Sequence, residues 1–138
     1  MSSVGVSVTT PGYTGSASVC GQIVVQQQVT AAITLDATGS MSWTDPNRLR
    51  NQAAKAFIDR LSSQDRASVA SFETGRAPTT GFRAITLWQG LTSDKQLLKA
   101  AVDRATYEGS ATNLWDAVAD SADIVGGFLC TRQNLHRA

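Results

Sequence analysis

The chain has 138 residues, 42% of them hydrophobic and 17% charged, with a formal net charge of +1. That length suits one globular domain, and the composition excludes a mainly disordered chain. The near-neutral balance gives no electrostatic reason to expect nucleic acid or an anionic membrane as partner, and no stretch reaches the roughly 18 apolar residues of a membrane span.

Residues 1–29 read as an extended segment ahead of the main domain. Val4, Val6 and Val8 alternate, and a second apolar patch lies around Ile23, Val24 and Val25. Two short strands are expected there, with Pro11 and Gly12 marking the turn between the patches. The segment lacks the basic start and continuous apolar core of a signal peptide, which leaves the compartment open. Cys20 and Cys130 lie near opposite ends of the chain and have neither a disulfide framework nor metal-ligand spacing. Separate thiols are the simpler expectation, and a staple between chain ends is the alternative.

Residues 30–36 form a near-continuous apolar run that ends in Asp36, as in a parallel strand covered on both faces. Asp36, Thr38 and Ser40 then alternate, and Gly39 relaxes the backbone between the two hydroxyls. Hard oxygen donors at the carboxyl end of such a strand suit a small divalent cation. The same run can also be a plain turn, with the aspartate and serine bonding local backbone.

Asp45 before Pro46 predicts a helix start with Asp45 as N-cap, which accounts for Asp45 without an accessory metal role. Leu49, Ala53, Phe57 and Leu61 recur at helical spacing beside Ala54 and Ile58, so this helix should lie on a sheet. Residues 67–72 read as a second strand and 82–88 as a third, joined by a loop from Glu73 to Gly81. Ser93 with Gln96 forms a plausible capping box for a helix carrying Leu97, Leu98, Ala101, Val102 and Ala105. Thr112 and Asn113 open a third helix through Leu114, Ala117, Val118, Ala122 and Val125, ended by Gly126 and Gly127. Residues 128–138 are a tail in which His136 reads as a solvent residue. The order strand, helix, strand, strand, helix, helix predicts an α/β fold: an open, mostly parallel, Rossmann-like sheet with helices on both faces.

The D-x-T-x-S loop at Asp36, Thr38 and Ser40, the helix opening at Asp45, and the segment Gly109-Ser110-Ala111-Thr112-Asn113 together resemble the von Willebrand factor A (vWA) family. The resemblance covers roughly residues 30–127. It implies a metal-ion-dependent adhesion site, written in that family as D-x-S-x-S with a distant threonine and a further aspartate. On that pattern Asp36 would anchor Mg²⁺ or Mn²⁺, Thr38 and Ser40 would offer hydroxyl ligands, and Thr112 would be the switchable ligand. A carboxylate on a partner protein would complete the shell.

Two departures from the pattern matter. Thr38 stands where the family has serine, which keeps the oxygen but adds a methyl group. The further aspartate has no match, because the only acids after Thr112 are Asp116, Asp120 and Asp123, all within the third helix. One carboxylate among neutral donors is expected to bind magnesium no better than millimolar.

The resemblance also implies an incomplete sheet, with the last strands missing and the edge of residues 31–35 left unpaired and able to template self-association. Trp43, on the rim of the loop, is the candidate partner anchor, whereas Trp88 and Trp115 read as packing. The expected function is a metal-dependent, adhesion-type protein-binding module that coordinates an acidic group. The alternative is a metal-free interaction or scaffold fragment of the same fold. No nucleophile pair or phosphate-cradling loop is visible, so no enzyme is expected. A magnesium-dependent phosphatase using Asp36 as nucleophile is remote, since that chemistry wants a second acid where Thr38 stands.

Overall fold

A computed structural model describes residues 4–10, 12–19, 28–106 and 109–126. The chain divides into two compact units, one spanning residues 28–127 and the other containing an amino-terminal hairpin. In that hairpin β1 (Val4–Thr10) pairs antiparallel with β2 (Tyr13–Val19), from Val4 opposite Val19 to Thr10 opposite Tyr13. Only two residues are left for the turn, and Gly12 takes a φ of 84°, which a side chain would resist. The second strand thus follows the turn at once. Ile23, Val24 and Val25, where it was expected, lie outside the described residues, as do Cys20, Cys130, His136 and the tail.

The larger unit is built on a three-stranded sheet in the order β3 (Thr30–Asp36), β4 (Arg66–Phe72), β5 (Ile85–Thr92). β3 and β4 run parallel, in register from Thr30 opposite Arg66 to Asp36 opposite Phe72. β4 and β5 run antiparallel, with irregularities around Val69. The fold is α/β as expected, with a mixed sheet because the turn-rich segment after β4 returns the chain as a hairpin partner. Among the described residues β3 pairs on one side only, with β4. β5 begins three residues later than its apolar pattern predicts, because the amides of Arg83 and Ala84 bond the Asp120 side chain at 2.9 and 2.8 Å.

Helices cover both faces. A single turn, α1 (Met41–Thr44), follows the β3 loop, and α2 (Leu49–Arg60), α3 (Lys95–Arg104) and α4 (Leu114–Gly126) supply the packing. Alternation along β4 sorts the core into two parts. Ala67 and Val69 join Ile58 of α2 and Leu98, Ala101 and Val102 of α3, whereas Ala70 and Phe72 join Ile85 and Ala117 of α4. Each fully buried aliphatic side chain here, such as Ile58 or Leu98, contributes about 1.5–3 kcal/mol through burial.

The helix starts depart from their sequence signals in an instructive way. Asp45 does serve α2, but from outside it. Its carboxylate accepts from the amides of Leu49 and Arg50 at 2.6 and 3.1 Å, so the helix begins after a turn closed by Arg48 N–H to Asp45 O. This shift rotates the buried face to Asn51, Ala54 and Ile58 and leaves Leu49, Ala53 and Phe57 exposed. For α3 the cap is Asp94, which accepts from the amides of Gln96 and Leu97, and not Ser93. A carboxylate one residue closer to those donors outcompetes the serine hydroxyl.

Asp65 ties the starts of β3 and β4 together. Its two oxygens accept from the amides of Val29 and Ser62, at 2.8 and 2.6 Å. The Val29 bond first, and then the Ser62 bond, hold its pKa below the ordinary aspartate range against the opposing effect of burial. A depressed folded-state pKa contributes stability that is present above the unfolded value of about 3.9 and is lost as pH falls through the folded value. Urea melts of wild type and Asp65→Asn should therefore differ at pH 7 and converge as pH drops below about 4. A gap that stays constant down to strong acid would contradict this assignment.

Candidate functional site

The parallel strands β3 and β4 end side by side at Asp36 and Phe72, and the chain turns out of the sheet there. Ala37 N–H still bonds Phe72 O at 3.1 Å, and Ala37 O then accepts from Gly109 N–H at 3.4 Å. Gly109 therefore continues the pairing along the β3 edge where β4 departs, and it forms a parallel bridge with Thr38. Gly39 N–H donates to Gly109 O at 2.5 Å. The approach is so close that a Cβ on Gly39 would lie 2.7 Å from that same oxygen. Glycine is required here by contact between two backbones, not by its φ.

Within this frame the side chains of Asp36, Thr38 and Ser40 form one hydrogen-bonded series. Asp36 Oδ1 accepts from Thr38 N–H at 2.9 Å and from Thr38 Oγ1–H at 2.6 Å. Thr38 Oγ1 in turn lies 3.3 Å from Ser40 Oγ. Both threonine bonds fall on one carboxylate oxygen. Thr38 is buried, Asp36 half-buried and Ser40 exposed, so the series runs from the protein interior to solvent.

The donor set can be compared with what a small cation needs. Octahedral ligands about 2.1 Å from a metal stand about 3.0 Å from their neighbours, and the spacings of 2.6 and 3.3 Å bracket that edge. All three atoms are hard oxygens. Among the described residues no three His, Cys, Asp or Glu side chains converge in metal-binding positions, so hydroxyls would have to carry part of the coordination.

The second loop reaches the same rim. Ala111 O accepts from Thr74 N–H at 3.2 Å, Ala111 N–H donates to Thr74 Oγ1 at 3.0 Å, and Ser110 Oγ stands 3.3 Å from that hydroxyl. Residues 109–111 are thus clipped between the loop after β3 and the loop after β4. Thr112, the next residue, is exposed, and these contacts pass through its neighbours, not through its own hydroxyl. The geometry gathers Asp36, Thr38 and Ser40 into one cluster and brings the segment carrying Thr112 to its border.

Glu73 was not singled out in the sequence. It follows the last residue of β4, is only 4% exposed, and packs its carboxylate and Cβ against Gly109. Its Oε2 accepts from Gly75 N–H at 2.7 Å, while Oε1 has no hydrogen-bond partner among the described residues and lies 3.8 Å from Arg76 Nε. Its one sequence signal was position: an acid directly after a strand parallel to β3.

Trp43 extends from α1, three residues after Ser40, and is 79% exposed. Trp88 packs against the core and donates its indole N–H to Ser71 Oγ at 2.8 Å. Trp115, expected to pack, is instead 83% exposed on the first turn of α4, and Leu114 and Val118 beside it are exposed too. Tertiary packing makes Ala117, Asp120, Ser121 and Ile124 the inward face, and Trp115 falls off it.

No protein-family model matches the chain, and no curated protein matches it. Its structure is similar to that of the vWF domain of the type V pili tip protein Mfa5 from Porphyromonas gingivalis, with a TM-score of 0.58 and 14% sequence identity. The match covers 75% of this chain and 34% of that one, so the chain spans about a third of the length of the Mfa5 structure. The fold is vWA-like. Among the described residues no helix is long and apolar enough to cross a membrane.

Proposed function

We propose that this chain is a protein-binding module whose docking rim is the loop from Asp36 to Ser40, with a divalent cation bridging that loop to an acidic group on the partner. One observation carries the reading: a carboxylate and two hydroxyls gathered in series, 2.6 and 3.3 Å apart, at the carboxyl end of a parallel strand. Asp36 would supply charge, Thr38 and Ser40 neutral oxygens, and Thr112 a further hydroxyl from the neighbouring loop. Magnesium or manganese, when bound, would offer an open position to the partner's carboxylate. The exposed Trp43 and Trp115 follow the two loops in sequence and would give the partner apolar anchors. The similar Mfa5 structure comes from a pilus tip, a setting compatible with contact between proteins.

A second reading rests on the same atoms. Asp36 Oδ1 already accepts both Thr38 bonds, so the loop is satisfied without any ion. The rim would then be a metal-free interaction surface. Calorimetric titration with Mg²⁺ and Mn²⁺ separates the two. The cation reading expects heat of binding and, at ten times Kd, about 1.4 kcal/mol of added stability, seen as a rise of several degrees in Tm. Asp36→Ala should abolish both signals. Neither heat nor a Tm shift from wild type would leave the metal-free reading.

A further inference from the structure

We infer that Glu73 is the second acidic ligand of the proposed cation site, doing from the end of β4 what the D-x-T-x-S loop cannot do with one carboxylate. The inference rests on the cation reading above and deepens it.

Register argues first. Asp36 and Phe72 are partners at the ends of two parallel strands, so Glu73 leaves the sheet at the same edge as the Asp36 loop. Gly109 then relates the two acids. Thr38 and Gly109 are bridge partners, and residues paired across a ladder direct their Cβ positions to the same face, about 5 Å apart. The direction a Gly109 Cβ would take is filled by the Glu73 side chain. The Glu73 carboxyl group therefore stands on the side of the sheet that carries the Thr38 hydroxyl, one strand spacing away. Gly109 has to be glycine for the acid to fit there.

Burial argues second and independently. Glu73 is 4% exposed, and its Oε1 accepts no hydrogen bond. An acceptor in that condition carries a desolvation cost that nothing within hydrogen-bond reach repays. Among the described residues Oε1 has an ion-pair contact with Arg76 Nε at 3.8 Å, too long for a hydrogen bond, and the Arg76 guanidinium lies over the Trp88 ring, 5.1 Å from its centroid. A divalent ion held between the Glu73 carboxyl group, whose Oε2 lies against Gly109, and the Asp36 series would offset that cost. It would also raise the acidic ligands from one to two, matching the ion's charge. Ligand charge is a main control on affinity for such ions. Arg76 would compete with the ion for Glu73, so its removal should favour binding.

The test uses the full chain. Mg²⁺ and Mn²⁺ affinities are measured by calorimetry for wild type, Glu73→Gln, Asp36→Asn and Arg76→Gln. Glutamine can keep the bond from Gly75 N–H, so the Tm in EDTA should change little. Its cation affinity should fall about ten- to a hundredfold. Arg76→Gln should bind more tightly than wild type. A second measurement covers the case in which Glu73→Gln fails to fold. The chain has two glutamates, Glu73 and Glu108, so wild type labelled with carboxyl-¹³C glutamate gives two side-chain resonances, assigned with Glu108→Gln. Saturating Mg²⁺ should shift the Glu73 resonance.

If wild type and Glu73→Gln bind equally, Asp36→Asn does not, and the Glu73 resonance stays fixed, the assignment of Glu73 is overturned while the cation reading stands. If wild type itself binds no ion, both are overturned.

Discussion

Replacing Asp120 with alanine is expected to lower the stability of the larger unit by about 3–5 kcal/mol, among the largest effects of any single substitution in this chain. Asp120 is essentially fully buried on the inner face of α4. Its Oδ2 accepts from three successive amides, those of Arg83, Ala84 and Ile85, at 2.9, 2.8 and 3.3 Å. These three donors enter β5 before the strand ladder can use them all. Alanine would leave the Ala84 and Ile85 amides buried with no acceptor, and that of Arg83 partly so, at roughly 1–3 kcal/mol for each buried donor before relaxation or water entry offsets part of the loss. A domain of this size has about 5–15 kcal/mol in total, so the variant should sit close to unfolding at moderate temperature.

The comparison that isolates this cause lies on the same helix. Asp116 and Asp123 are exposed, and alanine at either should stay within about 0.5 kcal/mol of wild type. Asp120→Asn keeps one carbonyl oxygen facing the same amides and should fall between the extremes. Urea denaturation of the four variants gives the ranking from the midpoints. An Asp120→Ala midpoint no lower than that of Asp116→Ala would mean that the amides find other partners and that the carboxylate is dispensable.

Asp120 also marks where sequence reading runs out. Three acids in one helix read alike until the inward face is known, and only tertiary packing assigns Ala117, Asp120, Ser121 and Ile124 to it. The strands β3 and β4 were legible to within a residue, because each is a short run of small and apolar residues bounded by polar or charged ones. The phase of α2 was not. Leu49, Ala53 and Phe57 share one stripe and Ala54 and Ile58 another, and apolar periodicity alone did not say which stripe faces the sheet. The turn at Asp45–Arg48 decided it by delaying the helix start.

The candidate site was legible in a similar, partial way. An alternating D-x-T-x-S after a strand is a local pattern, so Asp36, Thr38 and Ser40 could be named without a structure. Gly109 and Glu73 could not be read in this way, because their roles come from a three-way contact between segments 35 residues or more apart. The resemblance places a further acid downstream of Thr112, whereas the buried carboxyl group beside Gly109 lies upstream. Adjacency at a sheet edge follows strand order in space, not order in the chain. β4 neighbours β3 in the sheet, and so Glu73 comes to the same rim.

Gly109→Ala is the second substitution expected to act strongly, at about 2–3 kcal/mol of destabilisation. The added methyl would overlap both the carboxylate and the Cβ of Glu73. A carboxylate can swing aside, but a Cβ moves only with its backbone, so either the 109–111 segment or the start of the loop after β4 must shift. That shift would strain the Thr38–Gly109 bridge, the Gly39 N–H bond to Gly109 O and the bonds that join Thr74 to Ala111. Gly126→Ala provides the contrast, since nothing lies within 4 Å of a Cβ there and its helical position favours alanine by up to about 1 kcal/mol. The readout that separates local from global damage is hydrogen exchange at the Gly39 amide. In Gly109→Ala that amide should exchange faster than the loss of global stability explains, while amides in the middle of β4 should slow or quicken only with the global value. Equal protection at Gly39 in both proteins would mean that the two loops do not depend on this contact, and the rim they form would lose its structural basis.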